Sequence, residues 1–267
     1  MMTTVSQWFA DHAHLPRFDA ELLLAHVLDL TRAQIIAHPE RTLTERKTAT
    51  LHRLAHRLHA NEPLAYLTGN REFWGLDFAV SSAVLVPRPE TELLVELALD
   101  CAPQNATVLD LGTGSGAIAI ALAKQRPDLQ VTATDKSAAA LDVARRNARV
   151  HNVCVDFIQA DWFSGLTHEW QVIVSNPPYI RPDDPHLEAL SAEPELALVS
   201  PPDGLHDLAQ IIIAAPIHLH AGGHLLVEHG YDQAAAVRGL MCKASLSQVS
   251  SKTDLGSVER VTLGRQG

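Results

Sequence analysis

Apolar positions recur at helical spacing through the first sixty residues, and strand-like runs appear only later. From Asp19 to Leu30, the residues Leu22, Leu23, His26, Val27 and Leu30 fall near one helical face, with Asp19 as the expected N-cap. A second helix is predicted from about Thr44 to Ala60, with Leu51, Leu54, Ala55 and Leu58 on one side. A shorter helix around Ala33 to Ala37 lies between them and is closed by Pro39. No strand pattern precedes residue 65, so residues 1–64 read as a small helical bundle. In residues 65–86, Gly69-Asn70 and Gly75 punctuate short aromatic and β-branched runs, which predicts a hairpin linker. Pro89 then opens a helix from about Glu90 to Asp100.

Residues 87–267 form the third segment, and after Cys101 the pattern alternates. Strands are expected at Thr107–Leu111, Gln130–Thr134, Val155–Gln159, Gln171–Ser175 and Gly223–Glu228, then near 246–251 and 258–263. Helices are expected between them, at about Gly116–Lys124, Ser137–Val150, Leu205–His220 and Asp232–Cys242. Strands alternating with helices imply an α/β fold with a parallel, doubly wound sheet. The last two strands have no helix between them and should pair as a hairpin, which adds one antiparallel strand.

Composition bounds the picture without changing it. A chain of 267 residues has room for one large and one small domain, and 46% hydrophobic with 19% charged residues suits an ordinary globular core. No apolar run reaches the roughly 18 residues of a membrane span, and the start has no basic-then-apolar leader pattern. Cys101, Cys154 and Cys242 are far apart and odd in number, as expected for reduced thiols in a cytoplasm. A formal net charge of −10 argues against tight non-specific nucleic-acid binding. The 15 histidines include His52, His56 and His59 at helical spacing, and His218, His220 and His224 close together. Neither group brings a Cys or carboxylate at ligand spacing, so no metal site is expected.

The chemistry begins where the first strand of the sheet ends, in Asp110-Leu-Gly112-Thr113-Gly114-Ser115-Gly116. Glycines between a strand and a helix let backbone approach a ligand closely, and Asp135, at the end of the next strand, can accept hydrogen bonds from ribose hydroxyls. The string also fits the dinucleotide fingerprint, through Gly112-x-Gly114-x-x-Ala117. Asp110 bears on that choice. A carboxylate beside a pyrophosphate is electrostatically wrong, whereas beside a sulfonium or ammonium it is favourable. The string D-x-G-x-G-x-G resembles the loop of class I methyltransferases, which are Rossmann-like and use S-adenosyl-L-methionine. In that fold an acid after the third strand, here Asp161, contacts the adenine amino group, and Trp162 beside it is placed to stack on the ring.

After the fourth strand comes Asn176-Pro177-Pro178-Tyr179. Two prolines have fixed φ and no N–H, so this turn is stiff and presents carbonyl oxygens. With the Asn176 side-chain oxygen, it can accept both N–H bonds of a planar NH2 group. That orients the nitrogen lone pair and returns electron density to a poor nucleophile, so catalysis can rest on positioning. Tyr179 is placed to lie against the flat group. The motif alone leaves adenine N6, cytosine N4 and glutamine side-chain nitrogen open, while a dehydrogenase has no need of it.

Further segments narrow the choice. Leu85-Val-Pro-Arg88-Pro89-Glu90-Thr91-Glu92, Asn176-Pro-Pro-Tyr-Ile180, Glu193-Pro-Glu-Leu-Ala-Leu198 with Asp203-Gly204-Leu205, Glu228-His229-Gly230 and Asp254-Leu-Gly-Ser-Val-Glu-Arg260 together resemble the release-factor glutamine methyltransferases. The resemblance spans essentially the whole chain. It implies N5-methylation of the glutamine in the Gly-Gly-Gln loop of bacterial class I peptide chain release factors. It also implies cofactor contacts by the Asp110–Gly116 loop, Asp135, Asp161, Trp162 and Asn176, and substrate contacts by Asn176, Pro177, Pro178 and Tyr179, with Asn176 and Pro177 at the chemistry. Arg88 and Glu90 are read as capping a helix beside the site. The helical residues 1–64 are read as a substrate-recognition module, and no direct nucleic-acid or membrane partner is expected. A sister group acting on a ribosomal-protein glutamine shares the Asn-Pro-Pro-Tyr, but the Arg-Pro-Glu-Thr-Glu string favours release factors.

Overall fold

The computed structural model describes residues 3–267. The chain divides into two compact units, one running to Asn70 and including Ala189–Ala192, the other comprising Arg71–Glu188 and Glu193–Gly267.

The first unit is helical. Helices α1 (Val5–Asp11), α2 (Arg17–Leu28), α3 (Arg32–Ala37), α4 (Glu45–His59) and α5 (Leu64–Thr68) close around Val5, Trp8, Leu23, Leu24, Ile35, Leu51 and Leu54. Helix α1 is absent from the sequence expectation, although its start carries a signal. Thr4 and Gln7 form a reciprocal capping box, as Thr31 and Gln34 do at α3. Asp19 is not the N-cap of α2; that position is Pro16, and Asp19 lies in the first turn, where a carboxylate suits the helix dipole. The buried face of α2 is Ala20, Leu23, Leu24 and Leu28, so His26 points to solvent. Glu21 is also buried and is held by Arg17 at 2.8 Å and Arg32 at 2.6 Å. Residues 65–68 belong to α5, with Gly69 as its left-handed C-cap, and not to the expected hairpin.

The hairpin itself is β1 (Asn70–Phe73) and β2 (Leu76–Ala79), turned by Trp74 and Gly75, both at positive φ. That pair of conformations matches the twist of a two-residue hairpin. Phe73 and Phe78 are buried in the core of the second unit. Asn147 clips β2 in place: its Oδ1 accepts from the Ala79 N–H at 2.9 Å, and its Nδ2 donates to the Ala79 and Ser115 carbonyls.

The second unit continues through α6 (Glu92–Cys101), β3 (Thr107–Leu111), α7 (Ala117–Gln125), β4 (Gln130–Asp135), α8 (Ala138–His151), β5 (Asp156–Gln159), β6 (Trp170–Ser175), α9 (His206–Ala214), β7 (Leu219–Glu228), α10 (Ala234–Lys243), β8 (Ser247–Thr253) and β9 (Glu259–Arg265). These strands form one seven-stranded sheet in the order β5-β4-β3-β6-β7-β9-β8. Strands β5 to β7 are parallel neighbours, and β9 runs antiparallel between β7 and β8. Both expected sheet features, parallel pairing and a single antiparallel strand, are therefore present. Helix α7 is buried on every side from Ala117 to Ala123, as a helix with no polar face must be. The helix expected to run from Leu205 to His220 is shorter. Pro216 interrupts it, a 3-10 turn covers Ala215–His218, and β7 starts at Leu219 with a register shift opposite Trp170 and Val172. Among the described residues, no helix is long and apolar enough to cross a membrane.

Successive strands add outward from β3 through β4 to β5, and the chain then returns to the other side of β3 with β6. Open α/β sheets bind ligands at such a reversal, beyond the carboxyl ends of the strands. The β3–β6 register pairs Leu111 with Ser175, and Ser175 Oγ donates to the Leu111 carbonyl at 2.8 Å. The glycine loop and the Asn-Pro-Pro-Tyr turn therefore leave the sheet side by side.

Candidate active site

An open cleft lies at this reversal. Gly112, Gly114, Asp135, Asp161, Trp162, Asn176 and Pro178 line it. The other residues expected at the site do not. Asp110, Thr113, Ser115, Gly116, Pro177 and Tyr179 sit behind the lining, where the loops are held.

Asp110 is fully buried beneath the glycine loop. Its Oδ2 accepts from Thr113 Oγ1 at 2.6 Å, and its Oδ1 has no partner. Burial pushes the Asp110 carboxyl up to about 7, against the pull of the Thr113 hydroxyl, with Asp135 adding repulsion. Ser115 is buried, and Gly116 is the N-cap of α7. Asp135 accepts from the Gly114 N–H at 2.9 Å and the Ser137 N–H at 2.8 Å, so it ties the loop to the start of α8. Burial raises its carboxyl as well. These bonds leave lone pairs on both oxygens for a further donor.

Trp162 has a positive φ and lies against Gly112, where an added Cβ would stand 3.3 Å from the ring. The close approach of ring and backbone requires glycine there, and Gly112 itself has φ +72°. Asp161, at the rim, is paired with Lys136 at 2.7 Å, with both side chains about half exposed.

On the other side of the cleft, Asn176 Nδ2 donates to Thr91 Oγ1 at 3.1 Å. The NH2 end of this amide is thus engaged, and Oδ1 is left as an acceptor. Pro177 is buried and Pro178 reaches the cleft. Tyr179 does not lie in the cleft; its hydroxyl donates to Glu228 at 3.2 Å, and its carbonyl accepts from Gln233 Nε2 at 3.0 Å.

Several residues of the motif strings have partners here that the motif reading does not give them. Arg88 does not cap a helix with its side chain; it forms an ion pair with Glu193, whose carboxylate is almost completely buried. Glu193 also accepts from the Val86 N–H at 3.0 Å. One carboxylate thereby fastens the Arg-Pro-Glu-Thr-Glu segment to the Glu-Pro-Glu-Leu-Ala-Leu loop. The cleft is lined by Ala83–Leu85, just before the first segment, and by Pro194, Leu196 and Ala197 of the loop. Glu90 is exposed, and Thr91 is buried as the acceptor for Asn176. His229 is buried, with Nδ1 donating to the Gly230 carbonyl and Nε2 accepting from Thr262, so it clips β7 to β9. Among the described residues, no group of three or more His, Cys, Asp or Glu is arranged to hold a metal ion.

Residues 89–192 match the model of the methyltransferase small domain, and residues 3–69 match that of the PrmC N-terminal domain. A methyltransferase structure from Pyrococcus furiosus shares the fold, with a TM-score of 0.58 and 21% identity over 81% of this chain and 98% of that one. The release factor glutamine methyltransferase of Burkholderia pseudomallei is 48% identical over 94% of this chain and 92% of its own. That of Escherichia coli K12 is 46% identical, with the same coverage of 94% and 92%. At that identity and coverage, the chain belongs to the release factor glutamine methyltransferase family.

Proposed function

We propose that the protein transfers a methyl group from S-adenosyl-L-methionine to the side-chain amide nitrogen of the glutamine in the Gly-Gly-Gln loop of class I peptide chain release factors, and so acts on translation termination in the cytoplasm. The observation that carries this reading is the Asn176 amide. Thr91 engages its NH2 end, so its oxygen is the acceptor offered in the cleft, beside a glycine loop of methyltransferase type. The names of the relatives supply the acceptor class. The helical first unit, matched by its own family model, is the proposed recognition module for the protein substrate.

The residues present fit the cofactor. When bound, S-adenosylmethionine supplies a methyl group already activated on a sulfonium. Asp110 keeps an unpartnered carboxylate oxygen buried beneath the loop, which is costly unless a positive group offsets it. Asp135 retains acceptor capacity for hydroxyls, and Trp162 offers an aromatic face. For the acceptor, Asn176 Oδ1 and the proline carbonyls can take the two amide N–H bonds. The nitrogen lone pair is then held toward the methyl donor without a strong base.

The test is transfer of labelled methyl to three acceptors: a release factor, its Gly-Gly-Ala variant, and duplex DNA. Label on the unaltered release factor alone is expected. Label on DNA, or equal label on the variant, would overturn the acceptor. A second expectation concerns pH. With its carboxyl near 7, Asp110 is mostly ionised at pH 8 and mostly protonated at pH 6. Only the ionised form attracts a cation, so cofactor affinity should fall about tenfold from pH 8 to pH 6. Asp110→Asn should bind weakly at both values, with a flat profile by calorimetry. A variant that kept the wild-type slope would remove Asp110 from this role.

A further inference from the structure

Gln233 opens α10, yet its side chain makes no cap bond to that helix. The carboxamide is buried and reaches backbone groups of three separate segments. Its Oε1 accepts from the Gly230 N–H at 2.8 Å. Its Nε2 donates to the Tyr179 carbonyl at 3.0 Å and to the Gly204 carbonyl at 3.2 Å. An N–H only donates and a carbonyl only accepts, so a carboxamide turned over would break all three bonds at once. The amide therefore has one orientation. Gln233 does not line the cleft, and neither the glycine loop nor the acceptor motif accounts for it.

The seat of Gln233 is itself fixed. The Gly230 carbonyl accepts from the Gln233 N–H at 3.1 Å and from His229 Nδ1 at 2.9 Å, and His229 Nε2 is bonded to Thr262 of β9. Whatever Gln233 holds is thereby rooted in the sheet. On its other side, the peptide between Tyr179 and Ile180 is gripped at both ends. Gln233 takes the carbonyl, and the Leu198 carbonyl takes the Ile180 N–H at 2.9 Å. The rings of Pro177 and Pro178 already fix their φ angles. With the next peptide locked, the turn that carries Asn176 and Pro178 is held at its exit as firmly as at the end of β6. An apolar side chain of the same length would fill the space, but it would leave two carbonyls and an N–H without their partner. Buried groups do not stay so, and the turn would shift to find other donors.

We infer that Gln233 is a positioning residue, which locks the Asn-Pro-Pro-Tyr turn in the conformation that meets the substrate amide and takes no part in holding the cofactor. The inference rests on the proposed amide acceptor for its kinetic consequence alone.

Two measurements on the full chain test this, with Gln233→Met and Gln233→Glu as variants that keep the length of the side chain. Val237→Ala, which removes buried methyl groups one turn further along α10, is the packing control. The first measurement needs no acceptor. Tyr179-Ile180 is the sole Tyr-Ile pair in the chain. Tyrosine labelled at the carbonyl carbon and isoleucine labelled at nitrogen therefore leave one NMR correlation, which reports this peptide. It should be single and sharp in the wild type and in Val237→Ala. In both Gln233 variants it should move in the carbonyl dimension and broaden or split. A correlation that keeps its wild-type position in them, or that changes as much in Val237→Ala, overturns the inference.

The second measures release-factor methylation at saturating cofactor, below the melting temperature of each variant. Each Gln233 variant should lower kcat about tenfold, with the KM for release factor and the calorimetric cofactor affinity within about twofold of wild type. Val237→Ala should keep kcat within about twofold despite a lower melting temperature. An unchanged kcat in the Gln233 variants, an equal loss in Val237→Ala, a loss confined to KM, or a proportional loss of cofactor affinity overturns it. So does failure of both Gln233 variants to fold, which would assign the residue to the fold alone. If the wild type transfers no methyl to release factor, the acceptor reading fails, and the labelled peptide still decides whether Gln233 fixes the turn.

Discussion

Asn176→Ala should bind S-adenosylmethionine within about twofold of wild type and lose on the order of 10²-fold to 10³-fold in kcat. The amide is one of two acceptors proposed for the substrate NH2 group, and its oxygen is the end that Thr91 leaves free. Removing it leaves the glycine loop and the bonds of Asp135 to Gly114 and Ser137 untouched, so the cofactor side of the cleft persists. The substrate amide then keeps one acceptor and can rotate about it. Its lone pair spends most of its time pointing away from the methyl group, which is the kind of misplacement that costs two orders of magnitude. Calorimetry for the cofactor and single-turnover methylation for the rate separate the two effects. A variant with near-normal rate would refute the acceptor role. One that lost cofactor affinity in proportion to rate would move Asn176 to the cofactor side.

Gly204→Ala should be the most destabilising single methyl addition in the second unit, by about 3 kcal/mol. Gly204 has φ +81°, and a Cβ built there would lie 2.4 Å from the Tyr179 carbonyl oxygen and 2.7 Å from Gln233 Nε2. The left-handed conformation alone costs about 1–2 kcal/mol for a non-glycine residue. The clash adds more, because Gln233 Nε2 bonds both the Tyr179 and Gly204 carbonyls, and its Oε1 accepts from the Gly230 N–H. Moving Gln233 aside sacrifices buried hydrogen bonds worth about 1 kcal/mol each. The melting temperature should fall by roughly 6–12 °C. Methyl transfer should fall with it, since the displaced atom is the carbonyl of Tyr179 in the acceptor turn. Gly239→Ala is the matched control. That glycine is exposed within α10 and has nothing within 4 Å, so alanine there should raise stability by about 0.5–1 kcal/mol. A Gly204→Ala melting point within 1 °C of wild type would mean that the loop moves freely.

The parts of this protein that are legible in its sequence are those written locally. Four buried parallel strands, β3, β4, β6 and β7, carry dense β-branched and leucine runs, and glycines and prolines punctuate them at fixed places. The sheet, the glycine loop and the Pro-Pro turn follow from those runs. What the sequence hides is of two kinds. Some misses are local contests. The reading of α2 chose Asp19 over the Pro16 that actually precedes the helix, and the reading of α9 ran through Pro216. The others are partnerships across long separations. Thr91 meets Asn176 from 85 positions away, Arg88 meets Glu193 from 105, and Tyr179 meets Glu228 from 49. Each of these residues lies in a string that the sequence singles out, but no periodicity or spacing says which faces which. Only the sheet order, which brings the ends of β3, β6 and β7 together, makes the pairings visible.

That sheet order also determines how the molecule avoids sticking to itself. A strand at the margin of a sheet offers unpaired N–H and C=O groups to any other chain, and long apolar margins seed aggregation. The margin at β5 is only four residues long, with Asp156 and Gln159 turned to solvent. The opposite margin is β8, a Ser-Gln-Val-Ser-Ser-Lys-Thr strand whose ladder is broken by two register shifts. Both are poor templates. The ten-residue β7, with Leu225, Leu226 and Val227 fully buried, is a good one, and β9 covers it. The colloidal weak point is thus β9: a lesion that frees it turns a well-behaved sheet into one with a long, greasy, hydrogen-bond-hungry rim.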